Sequence, residues 1–242
     1  MEKKKFHIVL QGKGGVGKSF VSSLLVQFLQ EKKDPIIGID TDPNNTTLYS
    51  IKALKAKFLK LFDEEDKLNE RNFDSLMELA LEHTTNNFVI DNGATSFLPF
   101  ISYIKENNIF EMLAENFDVF IHVPIVGGQA QDDTINGLEQ LIKDYSKQNF
   151  IVWVNEYHGK IKDLNGKPFD QTEFYTKHKK FIRAILYLRE QNEKTFGKDI
   201  EDMTKEKLTF AEAIESPKFN IMAKQRLKIF KNDVFNQLKI II

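Results

Sequence analysis

The sequence contains no cysteine among its 242 residues. This absence excludes disulfide bonds, thiolate nucleophiles, iron–sulfur clusters and cysteine-ligated zinc. Long apolar runs are also missing, since no stretch reaches the roughly 18 apolar residues of a membrane-spanning helix. The first residues combine basic side chains with a short apolar run, so we expect no signal peptide. These absences predict a soluble, cytoplasmic protein.

An excess of charge of either sign is likewise absent, because 34 basic residues oppose 35 acidic ones and leave a net charge of -1. This balance argues against coating of nucleic acid by bulk charge, although a local basic patch could still contact it. The densest basic run is Lys177 to Arg183, for which a solvated surface is the simpler interpretation. The five histidines show no metal-ligand spacing. Apolar residues make up 41% of the chain, enough for one sizeable core.

Short apolar runs alternate with helical patterns along most of the chain. Strands are predicted at Phe6 to Gln11, Ile36 to Asp40, Phe88 to Asp91, Asp118 to Pro124 and Phe150 to Asn155, with a short edge strand at Phe58 to Phe62. Helices are predicted at Lys18 to Gln30, Asn72 to Glu82, Asp132 to Tyr145 and Ile221 to Leu238. Phe181 to Leu188 fits either a strand or a helix, and the acidic run Asp63 to Asp66 fits a solvated loop. This alternation predicts a doubly wound α/β fold with a mainly parallel sheet and helices on both faces.

Four polar features follow predicted strands directly. They are the glycine-rich stretch after the first strand, Asp40, Asp91 and Asn155. Because the carboxyl ends of parallel strands meet at one edge of a sheet, and ligands bind there in open α/β folds, we expect these features to converge on one site.

The glycine-rich stretch "QGKGGVGKS" fits a phosphate-binding loop. Glycines allow backbone N–H groups to surround phosphate oxygens, and the following helix offers its positive N-terminus. Lys18 would neutralise the β- and γ-phosphates, and the Ser19 hydroxyl would bind Mg²⁺. The predicted nucleotide-binding residues here are Gly12, Lys13, Gly14, Gly15, Val16, Gly17, Lys18, Ser19 and Phe20.

The order "KGGVGKS", with a second lysine at Lys13, resembles the deviant Walker A loop of the ParA/MinD family of P-loop ATPases. The resemblance implies that two protomers sandwich ATP, and that Lys13 reaches the nucleotide held by the other protomer. A cation there would stabilise charge on the transferred phosphoryl group, as an arginine finger does. The alternative for Lys13 is a solvent-exposed lysine without a role.

The same resemblance assigns roles to residues after later strands. It implies that Asp42 positions or deprotonates the attacking water, that Asp40 lies near the Mg²⁺ shell, and that Asp91 holds Mg²⁺ through a water. Gly93 falls in the second switch, although "DNGATSF" departs from the Thr/Ala and Pro that usually follow this aspartate. Asn155 matches the asparagine that reads the adenine amine, and it could equally be an ordinary turn residue.

Longer segments of the chain, among them "VIDNGATSFLP" and "VGGQAQDDT", resemble a subgroup of ATPases of plasmid conjugal transfer. This implies a slow, partner-stimulated, Mg²⁺-dependent ATPase that forms an ATP-bound homodimer and assists DNA transfer with an unidentified protein partner. Alternatives are a DNA-binding partition ATPase, a small-molecule kinase, and an ATPase positioned peripherally at the inner membrane through the amphipathic C-terminal helix. For that helix, packing against the sheet is the simpler interpretation. We expect one domain over residues 1–242, with a C-terminal helical segment at about 205–239.

Overall fold

A seven-stranded parallel sheet forms the centre of the computed structural model, which describes residues 3–61, 69 and 71–242. The strand order across the sheet is β3-β2-β4-β1-β5-β6-β7, and every neighbouring pair is parallel. The strands are β1 (Lys4–Val9), β2 (Ile36–Asp40), β3 (Lys57–Phe58), β4 (Asn87–Asp91), β5 (Phe117–Val126), β6 (Asn149–Asn155) and β7 (Ile182–Leu188). This architecture confirms the predicted doubly wound α/β fold.

Ten α-helices connect or follow the strands in the described part of the chain. They are α1 (Lys18–Glu31), α2 (Thr47–Ser50), α3 (Asn72–Glu82), α4 (Phe97–Glu106), α5 (Ile109–Ala114), α6 (Gln131–Asp144), α7 (Glu173–His178), α8 (Lys198–Lys205), α9 (Phe210–Glu215) and α10 (Ile221–Ile241). The predicted strands and long helices are all present; apart from the edge strand, their ends coincide with the predicted ones or are displaced by at most three residues. The predicted edge strand is the two-residue β3, while Phe62 and the acidic run Asp63 to Asp66 lie outside the described residues.

The sheet separates two apolar cores because successive side chains of a strand point to opposite faces. On β1, Ile8 belongs to one core and Val9 to the other, and on β4 Ile90 and Val89 divide in the same way. Helices α3 to α6 cover the first face, and α1, α9 and α10 cover the second. Each fully buried aliphatic or aromatic side chain stabilises this arrangement by roughly 1.5–3 kcal/mol.

The ambiguous segment Phe181 to Leu188 forms a strand because β6 offers it a parallel partner along its length. Ile182 aligns with Phe150 at one end, and Leu188 aligns with Asn155 at the other. On the other side of β7, the Gln237 side chain accepts a hydrogen bond from the Tyr187 N–H at 2.8 Å and donates one to the Tyr187 carbonyl at 3.1 Å. Tertiary pairing therefore decides between two local conformations that the sequence leaves equal.

Helix α10 lies against the sheet through one apolar face. Its buried side chains are Ala223, Leu227, Phe230, Val234, Phe235 and Leu238. Met222 was expected on this face, but it is 58% exposed, and the next residue, Ala223, is buried in its place. Asn220 caps the helix by accepting a hydrogen bond from the Ala223 N–H at 2.9 Å. Within the described ranges, no helix is both long enough and apolar enough to cross a membrane.

A chain of buried rings links three strands at the centre of the sheet. Trp153 donates its indole N–H to His122 Nδ1 at 2.9 Å, so neutral His122 carries its proton on Nε2. That nitrogen lies 2.9 Å from His7 Nδ1, which leaves the His7 proton on Nε2. Among the described residues, His7 Nε2 finds no hydrogen-bond partner. With both imidazoles neutral, both contacts between the rings are made and only the His7 Nε2–H lacks an acceptor within the described ranges. An added proton on either ring would break one of these two hydrogen bonds.

Acid is therefore expected to destabilise the protein through these two histidines. Burial lowers the pKa of His7 to about 3, with a further contribution from Lys5, and burial followed by His7 lowers the pKa of His122 well below its ordinary value. In the unfolded chain both protonate near pH 6.5. The stability they contribute is complete above pH 6.5 and is lost as the pH falls toward 3, at about 1.4 kcal/mol per pH unit for each histidine.

The measurement is the free energy of unfolding in denaturant at pH 7.5 and 5.0. We expect His7→Gln to lose about 2 kcal/mol less than the wild type on acidification, because one protonation is removed and a glutamine can still accept from His122. Exposed His83 supplies the matched control, His83→Gln, which should behave as wild type. Equal losses in wild type and His7→Gln would contradict the prediction.

Candidate nucleotide-binding site

The four polar features predicted to converge do lie at one edge of the sheet. The glycine-rich loop leaves β1, and Asp40, Asp91 and Asn155 are the last residues of β2, β4 and β6. Asp40 and Asp91 are register partners on adjacent strands, and Val9 pairs with Asp91 on the other side. The two carboxylates therefore lie next to the start of the loop.

The loop turns by means of glycines at two positions where the backbone requires them. Gly15 has φ 74° and Gly17 has φ 94°, both in the left-handed region that favours glycine. Helix α1 begins immediately afterwards, with no side-chain cap on its first N–H groups. These unpaired donors and the helix dipole make the loop suited to an anion.

Lys18 is a buried cation directed at this loop, with 8% of its surface exposed. Its Nζ donates a hydrogen bond to the Lys13 carbonyl at 2.9 Å. Burial lowers the pKa of Lys18, and the charges of Asp91 and Asp42 oppose that change. A desolvated ammonium beside free backbone N–H groups is a strong receptor for phosphate oxygens.

Asp91 is buried, and one of its two carboxylate oxygens lacks a hydrogen-bond partner among the described residues. Its Oδ1 accepts a hydrogen bond from Ser22 Oγ at 3.0 Å. The nearby Ser19 hydroxyl, like that of Ser22, acts to lower the pKa of this carboxyl group. The Asp91 Oδ2 is buried and has no hydrogen-bond partner within the described part of the chain. Burial, followed by the charge of Asp40, raises the pKa of Asp91 to about 7.

These residues fit a bound divalent cation. The unpaired Asp91 Oδ2 and the Ser19 hydroxyl supply the hard oxygen ligands that Mg²⁺ prefers, directly or through water. Asp40 has a different environment, since its Oδ1 accepts from the Asp42 N–H and its Oδ2 from the Tyr49 N–H, each at 3.0 Å. Burial raises the pKa of Asp40 to about 6. Asp40 thus organises the loop after β2, and both of its oxygens already accept backbone hydrogen bonds.

Asp42 closes the turn that follows β2. Its Oδ1 accepts hydrogen bonds from the N–H groups of Asn44 at 3.0 Å and Asn45 at 3.2 Å. The carboxylate packs on Gly93, where an added Cβ would lie 2.7 Å from Asp42 Cγ. The structure therefore brings the predicted water-positioning residue and the predicted second switch into direct contact.

The glycine loop, the turn after β2 and the start of the segment after β4 enclose a cleft of about 440 Å³. The predicted residues that line it are Gly14, Gly15, Gly17, Lys18, Ser19, Phe20 and Asp42. Sequence reasoning missed further lining residues, namely Asn44, Asn45, Thr47, Ala94 and Thr95. Their positions just after two predicted strand ends were the available signal. A second groove of about 240 Å³, between Lys105 and Lys147, lies near the starts of β5 and β6, away from this cleft.

Lys13 points out of its own cleft. Its Nζ lies 2.7 Å from Asp133 Oδ2 at the start of α6, and 47% of its side chain is exposed. An exposed ion pair of this kind is worth about 0–1 kcal/mol, so another anion can replace Asp133. Two other predicted loop residues do not line the cleft: the Val16 side chain is buried, and a Cβ at Gly12 would lie 3.1 Å from the Phe97 ring.

Asn155 supports the glycine loop from below. Its Nδ2 donates to the Val16 carbonyl at 3.1 Å, and its Oδ1 accepts from the Tyr157 N–H at 3.2 Å. These two bonds fix the orientation of the amide and leave one N–H and one lone pair for a ligand. A Cβ at Gly17 would lie 2.8 Å from Asn155 Nδ2, so the close approach also depends on that glycine. This supporting role had no signal in the sequence.

A glycine loop between strand and helix, with a buried lysine and a carboxylate ending the adjacent strand, defines a P-loop nucleotide-binding fold. A sequence profile of the CobQ/CobB/MinD/ParA nucleotide binding domain matches residues 7–208. The chain therefore belongs to the CobQ/CobB/MinD/ParA family, as the ParA/MinD resemblance indicated.

Individual relatives agree with this membership. The chain is 41% identical over 236 residues to the protein TraL of Escherichia coli, covering 97% of each chain. Its fold is similar to that of the MinD cell division protein of Aquifex aeolicus, with a TM-score of 0.52, 16% identity and 97% of each chain covered. The MinD of the MinC:MinD complex from the same organism gives a TM-score of 0.54 at 16% identity, with 97% of this chain and 95% of that chain covered. The TraL similarity also confirms the narrower resemblance, since it extends over almost the whole chain.

Proposed function

We propose that this protein is a Mg²⁺-dependent ATPase that dimerises around ATP and serves plasmid conjugal transfer. The observation that carries the enzymatic part is the cleft lined by Lys18, Ser19 and the glycine loop, next to the buried carboxylate that ends β4. That carboxylate, Asp91, has one oxygen without a partner among the described residues. The cation suits the phosphates, and the carboxylate suits a metal ion held beside them. The conjugal role is supported by the similarity to TraL over 97% of both chains. We also propose that residues 1–242 act as one domain.

The phosphates would bind through the backbone N–H groups of residues 14–19 and the Lys18 ammonium. Lys18 would exchange its hydrogen bond with the Lys13 carbonyl for phosphate oxygens, which places a desolvated charge where negative charge grows during transfer. Ser19 and Asp91 would hold Mg²⁺, with Asp40 fixing the adjacent loop. When bound, Mg²⁺ would neutralise phosphate charge and orient the phosphates for in-line attack.

Asp42 would orient the attacking water. It lines the cleft opposite Lys18, and its Oδ1 is held by two backbone N–H groups, which leaves Oδ2 for a water. A carboxylate beside phosphates is better suited to positioning a water than to acting as a strong base. Asn155 would use its remaining N–H and lone pair to distinguish the adenine edge, which favours ATP over GTP.

Lys13 would act on the nucleotide of a second protomer. In the single chain it lies on the surface and pairs with Asp133, so it does not approach its own cleft. Two copies meeting at their clefts would let each Lys13 exchange Asp133 for the partner's phosphates. Hydrolysis by the isolated protein would be slow, because its completion depends on this assembly and on a protein partner that stimulates it.

The alternative roles have less support. The apolar face of α10 is buried against the sheet, so it would have to detach before it could insert into a membrane. In the basic run, Lys177 is paired with Glu139 at 3.2 Å, and the net charge of -1 gives no general attraction to DNA. Binding of non-specific duplex DNA in the presence of ATP would nevertheless favour the partition role, and sedimentation with anionic vesicles would favour the membrane role.

The dimer is tested by the mass from light scattering of Asp42→Ala, a variant chosen to preserve bound ATP. We expect the dimer mass with Mg·ATP and the monomer mass with Mg·ADP. Adding Lys13→Ala should restore the monomer with Mg·ATP, because each site then loses the cation from its partner. Lys228→Ala, which removes an exposed lysine of α10, is the matched control and should leave the dimer intact.

A monomer in both nucleotides would contradict the dimeric switch and make Lys13 a surface charge. The ATP site would then stand without the sandwich, and transfer of labelled phosphate to a pool of small molecules would identify a kinase.

A further inference from the structure

Asn92 lies directly after the metal-site carboxylate, in the segment where this sequence departs from its family's usual pattern. Its side chain is 1% exposed, in the interior between the loops that follow β2 and β4. A buried amide is retained where its hydrogen bonds are used, since an unpaired one is costly. Its contacts therefore indicate what it does.

The Asn92 amide oxygen is shared by two buried hydroxyls. Oδ1 accepts from Thr41 Oγ1 at 3.2 Å and from Ser96 Oγ at 3.1 Å, while Nδ2 donates to the Gly93 carbonyl at 3.1 Å. Thr41 and Ser96 are 1% and 0% exposed. Thr41 comes from the loop after β2, and Ser96 comes from the segment that leads into α4.

Thr41 is held at the end of β4 by its backbone N–H, which donates to the Asp91 carbonyl at 3.0 Å. The same carbonyl lies 3.1 Å from the Thr41 hydroxyl, whose single proton is shared between that oxygen and Asn92 Oδ1. The next residue, Asp42, rests on Gly93, where the absence of a Cβ permits the contact. Asn92 and Gly93 together thus form a seat for Thr41 and Asp42, which we call the Asn92 seat.

We propose that Asn92 is a positioning residue for hydrolysis: through Thr41 it fixes the Asp42 carboxylate over Gly93 and makes the two loops around the phosphates move as one unit. This inference rests on the proposed function and names how that site is aligned. Asn92 does not line the cleft, so its effect on hydrolysis would pass through Thr41 and Asp42.

A purely structural role makes a different prediction. If Asn92 merely stabilises the turn into α4, its removal would lower the melting temperature and leave the hydrolysis step of the folded protein unchanged. If it aligns Asp42, its removal would slow hydrolysis at saturating ATP and leave the affinity for Mg·ADP close to the wild-type value. Measuring both the single-turnover rate of hydrolysis and the affinity for Mg·ADP in each variant therefore separates the two roles.

The experiment compares hydroxyl deletions that share one acceptor. Thr41→Val and Ser96→Ala each remove a donor to Asn92 Oδ1, but Thr41 alone is adjacent to Asp42. We expect Asn92→Ala and Thr41→Val to reduce the single-turnover rate by about 10- to 100-fold, because small misplacements of a reacting group cost that much. Ser96→Ala should reduce it by less than about threefold. Thr41→Ser keeps the hydroxyl and should therefore hydrolyse ATP at about the wild-type rate.

Thr172→Val provides the remote control, because Thr172 is also buried and its hydroxyl donates to the Phe169 carbonyl at 2.7 Å. It should lower the melting temperature without slowing hydrolysis. The double variant Thr41→Val with Asn92→Ala should be no slower than the slower single variant, since both break one linkage.

Amide hydrogen exchange over residues 40–50 gives a readout that does not depend on turnover. We expect faster exchange there in Asn92→Ala and Thr41→Val than in Thr172→Val, because the turn closed by Asp42 loses its seat. Wild-type rates and wild-type exchange in both variants would overturn the inference and leave the ATPase proposal intact. A wild-type protein that fails to bind ATP would instead contradict the proposed function, with the exchange data still deciding the seat.

Discussion

Lys18→Ala is expected to abolish measurable binding of Mg·ATP and Mg·ADP while the protein stays folded. Lys18 is a buried cation that lines the cleft, and its Nζ donates a hydrogen bond to the Lys13 carbonyl of the loop at 2.9 Å. Removing a desolvated charge that pairs with phosphate typically costs about 2–5 kcal/mol. This corresponds to a loss in affinity of roughly 30-fold to several thousand-fold.

Calorimetric titration with Mg·ADP measures the loss without interference from turnover. The variant should melt within a few degrees of the wild type in the absence of nucleotide, because burying Lys18 itself carries a desolvation cost. It should show no rise in melting temperature when Mg·ADP is added, whereas the wild type should. Retained wild-type affinity in a folded variant would reject the phosphate-loop assignment.

The same variant tests the biological role. In a conjugative plasmid that lacks its own copy of this gene, the wild-type protein should restore transfer and Lys18→Ala should not. Equal restoration by both would separate the transfer role from nucleotide binding.

Asp42→Ala is expected to bind ATP and fail to turn it over. The residue lines the cleft, but the phosphates would be held by the glycine loop and Lys18, so binding should change by less than about threefold. Loss of a group that orients or activates the nucleophile lowers the rate by about 100-fold or more. A single-turnover measurement of phosphate release, with Mg·ADP affinity measured in parallel, provides the comparison.

Asp42→Asn separates the charge of this side chain from its role in the turn. An asparagine still accepts the hydrogen bonds from the Asn44 and Asn45 N–H groups, so the loop should keep its shape. Slow hydrolysis by Asp42→Asn would assign the loss of turnover in Asp42→Ala to the missing carboxylate. Hydrolysis at the wild-type rate would assign that loss to altered loop geometry. Wild-type turnover in both variants would remove Asp42 from the mechanism.

Features set by local pattern could be predicted from the sequence. The apolar runs are strands because buried parallel strands are apolar on both faces, and the edge at which Asp40 and Asp91 meet follows from the parallel topology. The turns of the glycine loop could be predicted from Gly15 and Gly17, because glycine readily adopts the positive φ that both residues have. For these elements, short-range sequence and the general rules of α/β sheets were sufficient.

Features set by contacts between residues that are distant in the sequence could not be predicted. The bond from Asn155 to the Val16 carbonyl joins residues 139 positions apart, and the Lys13–Asp133 pair spans 120. Each depends on where a side chain lies after the sheet has assembled, and no periodicity encodes it. The sequence left Phe181 to Leu188 open between strand and helix for a related reason, because pairing with the neighbouring strand β6 decides between the two.

The Gln237 side chain has a consequence for how copies of this protein can meet. An open sheet edge offers unpaired N–H and C=O groups to any other strand, which makes it a template for uncontrolled association. At the β7 edge, the side chain of Gln237, a residue of α10, forms hydrogen bonds with both the N–H and the carbonyl of Tyr187. At the opposite edge β3 has two residues, too few to template a partner strand. Continuous addition of strands is thereby discouraged at both ends, which in the proposed dimer would leave the bound nucleotide to govern when two copies come together.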